Sequence, residues 1–271
     1  MKLSDLVFVA LFILADAAAA GRVENNTAYP NFFKGEIGDN GTKSRVFIKF
    51  VPGGKAAALS ALGHVGGEVI HSFSELNTFS VSLPTVAIDA LRRDPKIAFI
   101  EQDPIRSVGP IVRSTTKMAS PFDRRRAADG QTVPYCVDMV QARDVWDANR
   151  DGVVDEGSPN GSNRMICIID SGFLVSHEDL QGINVDGYDG NLPWNQDGLT
   201  HGTHVAGTIA AVNNDFGVVG VTPGTVNLYI VRVFADDGDW AYASTLIDAA
   251  NRCASAGANI ISMSLGGNFP S

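Results

Sequence analysis

The sequence predicts an α/β protein: part of a parallel β-sheet with packed helices, preceded by a small α+β unit. Two patterns carry that prediction. Residues 164–170, 226–234 and 258–266 are apolar, β-branched runs, and residues 201–211 and 242–256 between them have helical composition. Strands that alternate with helices build parallel sheets. Ahead of them, residues 45–101 read strand, helix, strand, strand, helix, strand, the split-βαβ order of a ferredoxin-like unit. A third observation divides the chain at a similar place. Residues 130–271 hold 17 Asp and Glu against 5 Arg and no Lys, a net charge of −12, whereas residues 1–129 carry +3. Such asymmetry points to two units with different jobs. The overall net charge of −9 argues against nucleic acid as a partner.

The first element is not fold. Lys2 precedes the apolar run Leu6 to Leu14, and the small residues Ala17 to Ala20 follow. That is the layout of a secretory signal peptide over residues 1–20. The run is too short to cross a bilayer core of about 30 Å, and no later segment is long enough, so no membrane association is expected after cleavage. Secretion would bring the chain into an oxidising compartment. There Cys136, Cys167 and Cys253 can form at most one bridge, and the sequence leaves the pair open. Asn25, Asn40 and Asn160 each open an N-x-Ser/Thr sequon.

Residues 45–51 (RVFIKFV) read as a strand and residues 55–63 as a short helix ended by Gly63. Residues 68–83 alternate on either side of Glu75-Leu76-Asn77, a hairpin pattern. Residues 84–93 begin with Pro84 and end on Arg92-Arg93, as a helix should. Residues 97–101 (IAFIE) form the last strand. Over residues 45–106 this stretch, with GEVIHSFSELNTF at its centre, resembles the inhibitory propeptide of subtilisin-like proteases. The resemblance implies an intramolecular chaperone that also blocks the chain's own cleft. Residues 107–130 have no period and contain Arg124-Arg125-Arg126, a linker with a processing site.

The run RMICIIDSG (164–172) delivers Asp170 at a strand's C-terminal end, where parallel α/β sheets place chemistry. Thirty-one residues on, His201 opens the small-residue block Thr200 to Thr208. An imidazole that moves protons needs a carboxylate to hold its tautomer and to stabilise its charged form. A rival reading makes His201 and His204 metal ligands, but they lack the i, i+4 spacing and intervening Glu of the zinc-protease helix. Followed by NIISMSLGG (259–267), these blocks resemble the subtilase family of serine endopeptidases. By that resemblance Asp170 orients, His201 is the general base and His204 is a structural helix residue. Residues 131–271 would be the N-terminal part of a subtilisin-like catalytic domain, a partial parallel sheet ending on an exposed edge strand.

The family's Gly-Thr-Ser-Met-Ala nucleophile block does not occur in this sequence. Ser262 and Ser264 are poor substitutes. Acyl transfer needs an activated nucleophile beside the base, so this chain alone is expected to be inactive. The alternative is a non-catalytic, propeptide-bearing inhibitor or binding protein.

The resemblance also implies a structural calcium site. Its ligands would be Gln131, Asp179, the Asn214 side chain and the carbonyls of Val212, Phe216 and Val218, an oxygen set that suits a hard cation. A second acidic stretch, Asp147 to Asp155, fits the opening positions of an EF-hand loop, but its twelfth position is Ser158 instead of Glu. Substrate would pair between two edges, with Gly238, Asp239 and Trp240 on one and Ser264, Leu265 and Gly266 on the other. Tyr242 and Leu265 would line an apolar pocket, and Asp236, Asp237 and Asp239 point to basic substrate residues. The expected partners are protein or peptide substrates and the chain's own propeptide.

Overall fold

The structure is a computed structural model that describes residues 43–108, 130–236 and 240–266, together with the backbone of residues 7–8. Most of the leader, the sequons at Asn25 and Asn40, the basic triplet of the linker, Gly238 and Asp239 lie outside the described residues. The chain divides into two compact units.

The first unit is an antiparallel sheet with helices. Strand β2 (Lys43–Phe50) leads to α1 (Lys55–His64), β3 (Glu68–Phe73), β4 (Thr78–Pro84), α2 (Ile88–Leu91) and β5 (Ile97–Gln102). The strand order is β3-β4-β2-β5, so β2 runs between β4 and β5. Alternation sets the buried face: Phe79, Val81 and Leu83 of β4 are 1%, 0% and 0% exposed, as a period of two requires. Val46, Ile48 and Phe50 of β2 join them, and α1 covers that face with Ala58 and Leu62, one turn apart. The hairpin turns on Asn77, whose φ of 49° is left-handed, a conformation Asn tolerates through its short polar side chain. The helix expected over residues 84–93 is shorter. Thr85–Ala87 form a 3₁₀ turn and only Ile88–Leu91 are α-helical, since the β-branched Thr85 and Val86 are poor helix formers.

Residues Tyr242–Ser244 belong to this first unit. Buried Asp103 accepts hydrogen bonds from the Ser244 amide (2.9 Å) and hydroxyl. Arg45 donates to Asp103 (2.9 Å) and lies 4.0 Å from the centre of the Tyr242 ring.

The second unit is a five-stranded parallel sheet of order β1-β11-β7-β9-β8. Its strands are β1 (Val7–Phe8), β7 (Met165–Asp170), β8 (Val185–Gly187), β9 (Asn227–Arg232) and β11 (Ile260–Ser262). Strand β7 is central and buried on both faces. Cys167 and Ile169 pack in a core with Val231, Phe234 and Cys253, while Ile166 and Ile168 pack in a second core with Ala206, Ala210 and Leu228. Helix α5 (His201–Ala210) supplies the alanines and α6 (Ala243–Ser255) supplies Cys253. The expected edge strand at residues 258–266 is shorter and is not the edge. Val7 and Phe8, read above as leader, pair with Ile260 and Ile261. An apolar dipeptide there satisfies backbone groups that an edge would leave unpaired. Among the described residues no helix is long and apolar enough to cross a membrane.

Four further short elements are described. Strand β6 (Ile105–Ser107) pairs with β10 (Trp240–Tyr242), and helices α3 (Tyr135–Met139) and α4 (Arg143–Trp146) precede β7. Cys167 and Cys253 are joined by a disulfide, both fully buried, and Cys136 is a half-buried free thiol.

Candidate active site

Strand β7 carries Asp170 to its C-terminal tip, where the side chain is 1% exposed. The chain must then turn sharply under a neighbouring loop. Gly172 has φ +119°, and a Cβ there would lie 1.8 Å from the Gln196 carbonyl oxygen, so only glycine fits. The same crowding governs the helix that meets this turn: a Cβ on Gly202 would lie 2.3 Å from the Gly172 carbonyl oxygen. The Gly-rich composition around both motifs is what lets strand tip and helix mouth approach.

His201 is the first residue of α5, and its Nδ1 lies 2.8 Å from Asp170 Oδ1. The same oxygen accepts from the Ser171 amide at 2.7 Å. A carboxylate can only accept, so Nδ1 carries the proton and Nε2 is left with its lone pair. The hydrogen bond to Asp170 raises the His201 pKa above its ordinary value; desolvation opposes this, and the negative charges of Asp170 and Asp197 reinforce it. Asp170 Oδ2 is buried without a hydrogen-bond partner among the described residues. Chemically the pair is a base with its tautomer fixed and its cationic form stabilised. His204 is exposed on α5.

Asp197 was not singled out by sequence. It is 8% exposed and accepts from the Ser171 hydroxyl (2.7 Å), the Thr203 amide (2.8 Å) and the Thr203 hydroxyl (2.6 Å). Arg232 at the end of β9 was also missed. It is buried and donates to Asp236 and to the carbonyls of Phe234 and Pro193, and Asp236 in turn accepts from the Gly198 amide at 2.8 Å. An acid four residues before a histidine obeys no spacing rule that would have flagged it.

Of the expected substrate edges, Trp240 and Tyr242 lie in β10 and Gly266 forms a bridge. Both edges are paired with one short segment. Strand β6 runs along β10, and Ser107 exchanges two backbone hydrogen bonds with Gly266, at 2.9 and 2.8 Å. Ser264 and Leu265 lead into that bridge and are half-buried.

The predicted calcium ligands also meet. Gln131 Nε2 lies 2.6 Å from Val212 O, 3.1 Å from Val218 O, and 3.3 Å from both Asn214 Oδ1 and Phe216 O. A primary amide has two hydrogens, so four oxygens around one nitrogen exceed what it can satisfy. An oxygen cage around one point is what a hard cation requires, and rotating the amide would add Gln131 Oε1 to it. Asp179, 4% exposed, holds the loop by accepting from the Val218 amide at 2.8 Å. The residues present therefore fit a calcium ion. In the other acidic loop the carboxylates are used locally: Asp147 accepts from the Gly152 amide, Asp151 from Val153 and Asp155 from Ala148. Among the described residues no three His, Cys, Asp or Glu side chains converge on a metal position.

A parallel sheet with a buried acid at a strand tip and an imidazole at a facing helix mouth defines a subtilisin-like α/β architecture. Residues 161–271 match the Subtilase family. The chain is 31% identical over 266 residues to subtilisin amylosacchariticus of Bacillus subtilis subsp. amylosacchariticus, covering 97% of this chain and 58% of that one. It is 33% identical over 217 residues to an alkaline protease of Shouchella clausii, covering 80% and 49%. These figures mean that the chain spans only about half the length of the curated relatives it matches. Among solved structures, fervidolysin from Fervidobacterium pennivorans, a keratinolytic enzyme related to subtilisin, superposes with a TM-score of 0.56 over 88% of this chain and 38% of that one, at 22% identity. That likeness is one of fold.

Proposed function

We propose that this chain carries the acid and base of a secreted serine endopeptidase precursor. The 2.8 Å bond between His201 and Asp170 supports the reading above all. It leaves Nε2 free to take a proton from a nucleophilic hydroxyl and later return it to a leaving amine. The described side-chain bonds of His201 include no serine, and no nucleophile block stands in the sequence. Residues 45–106 act as the inhibitory propeptide. Strand β6, bonded between β10 and Gly266, supports that role, because backbone pairing is how an extended peptide is held in a cleft. The alignment with subtilisin amylosacchariticus, 266 residues long, takes in this region as well. Secretion is supported by the leader layout and the buried disulfide, and removal of the leader would take β1 from the sheet and leave β11 at its edge.

Calcium would be held by Gln131, Asp179, Val212, Asn214, Phe216 and Val218. When bound, it would supply positive charge that ties the segment at Gln131 to the loop at 212–218, with no part in proton transfer.

The test has two arms. A serine-directed fluorophosphonate probe should leave residues 1–271 unlabelled, since no Gly-Thr-Ser-Met-Ala block stands among them; labelling would mean that another serine here serves His201. Joined to the serine-bearing half of a related protease, this chain should cleave peptides. In that product His201→Ala should lower kcat by about 10⁶ and Asp170→Asn by about 10⁴. Failure of that product to cleave peptides, together with tight inhibition of a related protease by this chain, would replace the reading with the non-catalytic alternative.

A further inference from the structure

Helix α5 lacks the N-terminal cap that its own sequence should provide. Thr200 occupies the N-cap position, but its φ of 64° is left-handed and its side chain caps nothing. Threonine at that position normally accepts from an amide in the first turn. The amides here are met from elsewhere. Gly202 N donates to the Ser171 hydroxyl at 2.9 Å, and Thr203 N donates to Asp197 Oδ2 at 2.8 Å. The Ser171 hydroxyl in turn donates to Asp197 Oδ1 at 2.7 Å. One buried carboxylate therefore joins the residue after Asp170 to the second turn position after His201.

We propose that Asp197 is a positioning residue for the Asp170–His201 pair. Its carboxylate replaces the missing cap, locks the mouth of α5 onto the tip of β7, and sets a second negative charge behind the imidazole. Carboxylates are favoured at a helix N-terminus by the orphan amides and the helix dipole. Here that preference is used to fix one side chain against another across two elements. Among the described residues the charged groups acting on His201 are Asp170 on β7 and Asp197 on the loop entering α5. The cation of β9, Arg232, is occupied by Asp236 and two carbonyls. The proposal rests on the reading of Asp170 and His201 as an acid–base pair.

Nuclear magnetic resonance on the full chain can test it without turnover. The observables are the downfield Nδ1 proton of His201 and the titration of its Cε1 proton. Asp197→Asn removes the charge and keeps one acceptor oxygen for Thr203, while its Nδ2 donates to the Ser171 hydroxyl where Oδ1 accepted from it. It should retain the Nδ1 resonance and shift the His201 pKa downward. Asp197→Ala should lose the resonance to solvent exchange and shift the pKa downward as well. An unchanged pKa in Asp197→Asn overturns the electrostatic role, and an unchanged resonance in a folded Asp197→Ala overturns the positioning role. Should Asp197→Ala not fold, Thr203→Val, which removes one of the carboxylate's three bonds, takes its place. Its expected result is faster exchange of the Nδ1 proton, and an unaltered exchange rate would count against the proposal. Asp170→Asn is the control for the underlying pair. If it leaves both signals unmoved, the acid–base reading fails; if it moves them and the Asp197 variants do not, only this inference fails.

Discussion

At the scale of single residues, Asp170 holds His201 by one oxygen, and that bond fixes how the pair responds to pH. The folded-state pKa of His201 lies above its ordinary value near 6.5, chiefly because of the bond to Asp170. The folded chain then binds the proton more tightly than the unfolded chain does. The resulting stabilisation is complete below about pH 6.5 and is lost as pH rises through the higher folded value. Urea midpoints measured across that window should fall with rising pH in the parent chain and show a shallower fall in His201→Gln. Equal slopes in the two proteins would mean that His201 gains no proton affinity on folding. The glycines give a second prediction at this scale. Gly172→Ala sets a Cβ 1.8 Å from Gln196 O at φ +119°, so it should cost on the order of 3 kcal/mol in chemical denaturation; a change below about 0.5 kcal/mol, the surface range, would contradict the geometry. Asp170 and His201 were legible because their flanking residues form recognisable blocks. Asp197 was not, because its partners are fixed by the turn at Gly172 and not by sequence distance.

Elements show a different limit. The alternation of Ile166 and Ile168 against Cys167 and Ile169 follows from a parallel strand buried on both faces, and the apolar run announces it. Composition overstates the strands, however. Val233 and Phe234 are 8% and 0% exposed yet lie beyond β9, because burial, which composition reports, does not require ladder pairing. The disulfide was unreadable for a related reason. Cys167 sits on β7 and Cys253 on α6, 86 residues apart, and their meeting depends on which face of the sheet α6 covers. Closing a loop of that length removes unfolded-state entropy worth about 4–5 kcal/mol in the chain-entropy model. The Cys167→Ser, Cys253→Ser double variant should therefore lose about 2–5 kcal/mol in urea denaturation, while Cys136→Ser should stay within about 0.5 kcal/mol of the parent. Equal stability of all three proteins would show that the bridge does not form in solution.

Across the whole molecule, residues far apart in sequence converge where neither local pattern nor a single element predicts a site. Gln131, Asp179 and the loop from Val212 to Val218 come from three separate stretches. Only the resemblance to a known family made them legible, since backbone carbonyls leave no trace in side-chain chemistry. Their convergence also bears on the charge. The portion carrying −12 repels itself, and a divalent cation held there would offset that repulsion while closing a long excursion of the chain. Anything that binds the folded state alone stabilises it by RT ln(1 + [L]/Kd), about 2.7 kcal/mol at a hundredfold excess over Kd. Calcium should therefore raise the thermal midpoint and chelation lower it. Asp179→Asn removes the one charge in the proposed ligand set, so it should abolish most of the calcium-dependent rise. Asp151→Asn, in the loop whose carboxylates bond their own backbone, should leave the rise intact. If chelator leaves the midpoint unmoved, the oxygen cage at Gln131 is held by the amide alone; if Asp151→Asn removes the response and Asp179→Asn does not, the ion belongs to the other loop.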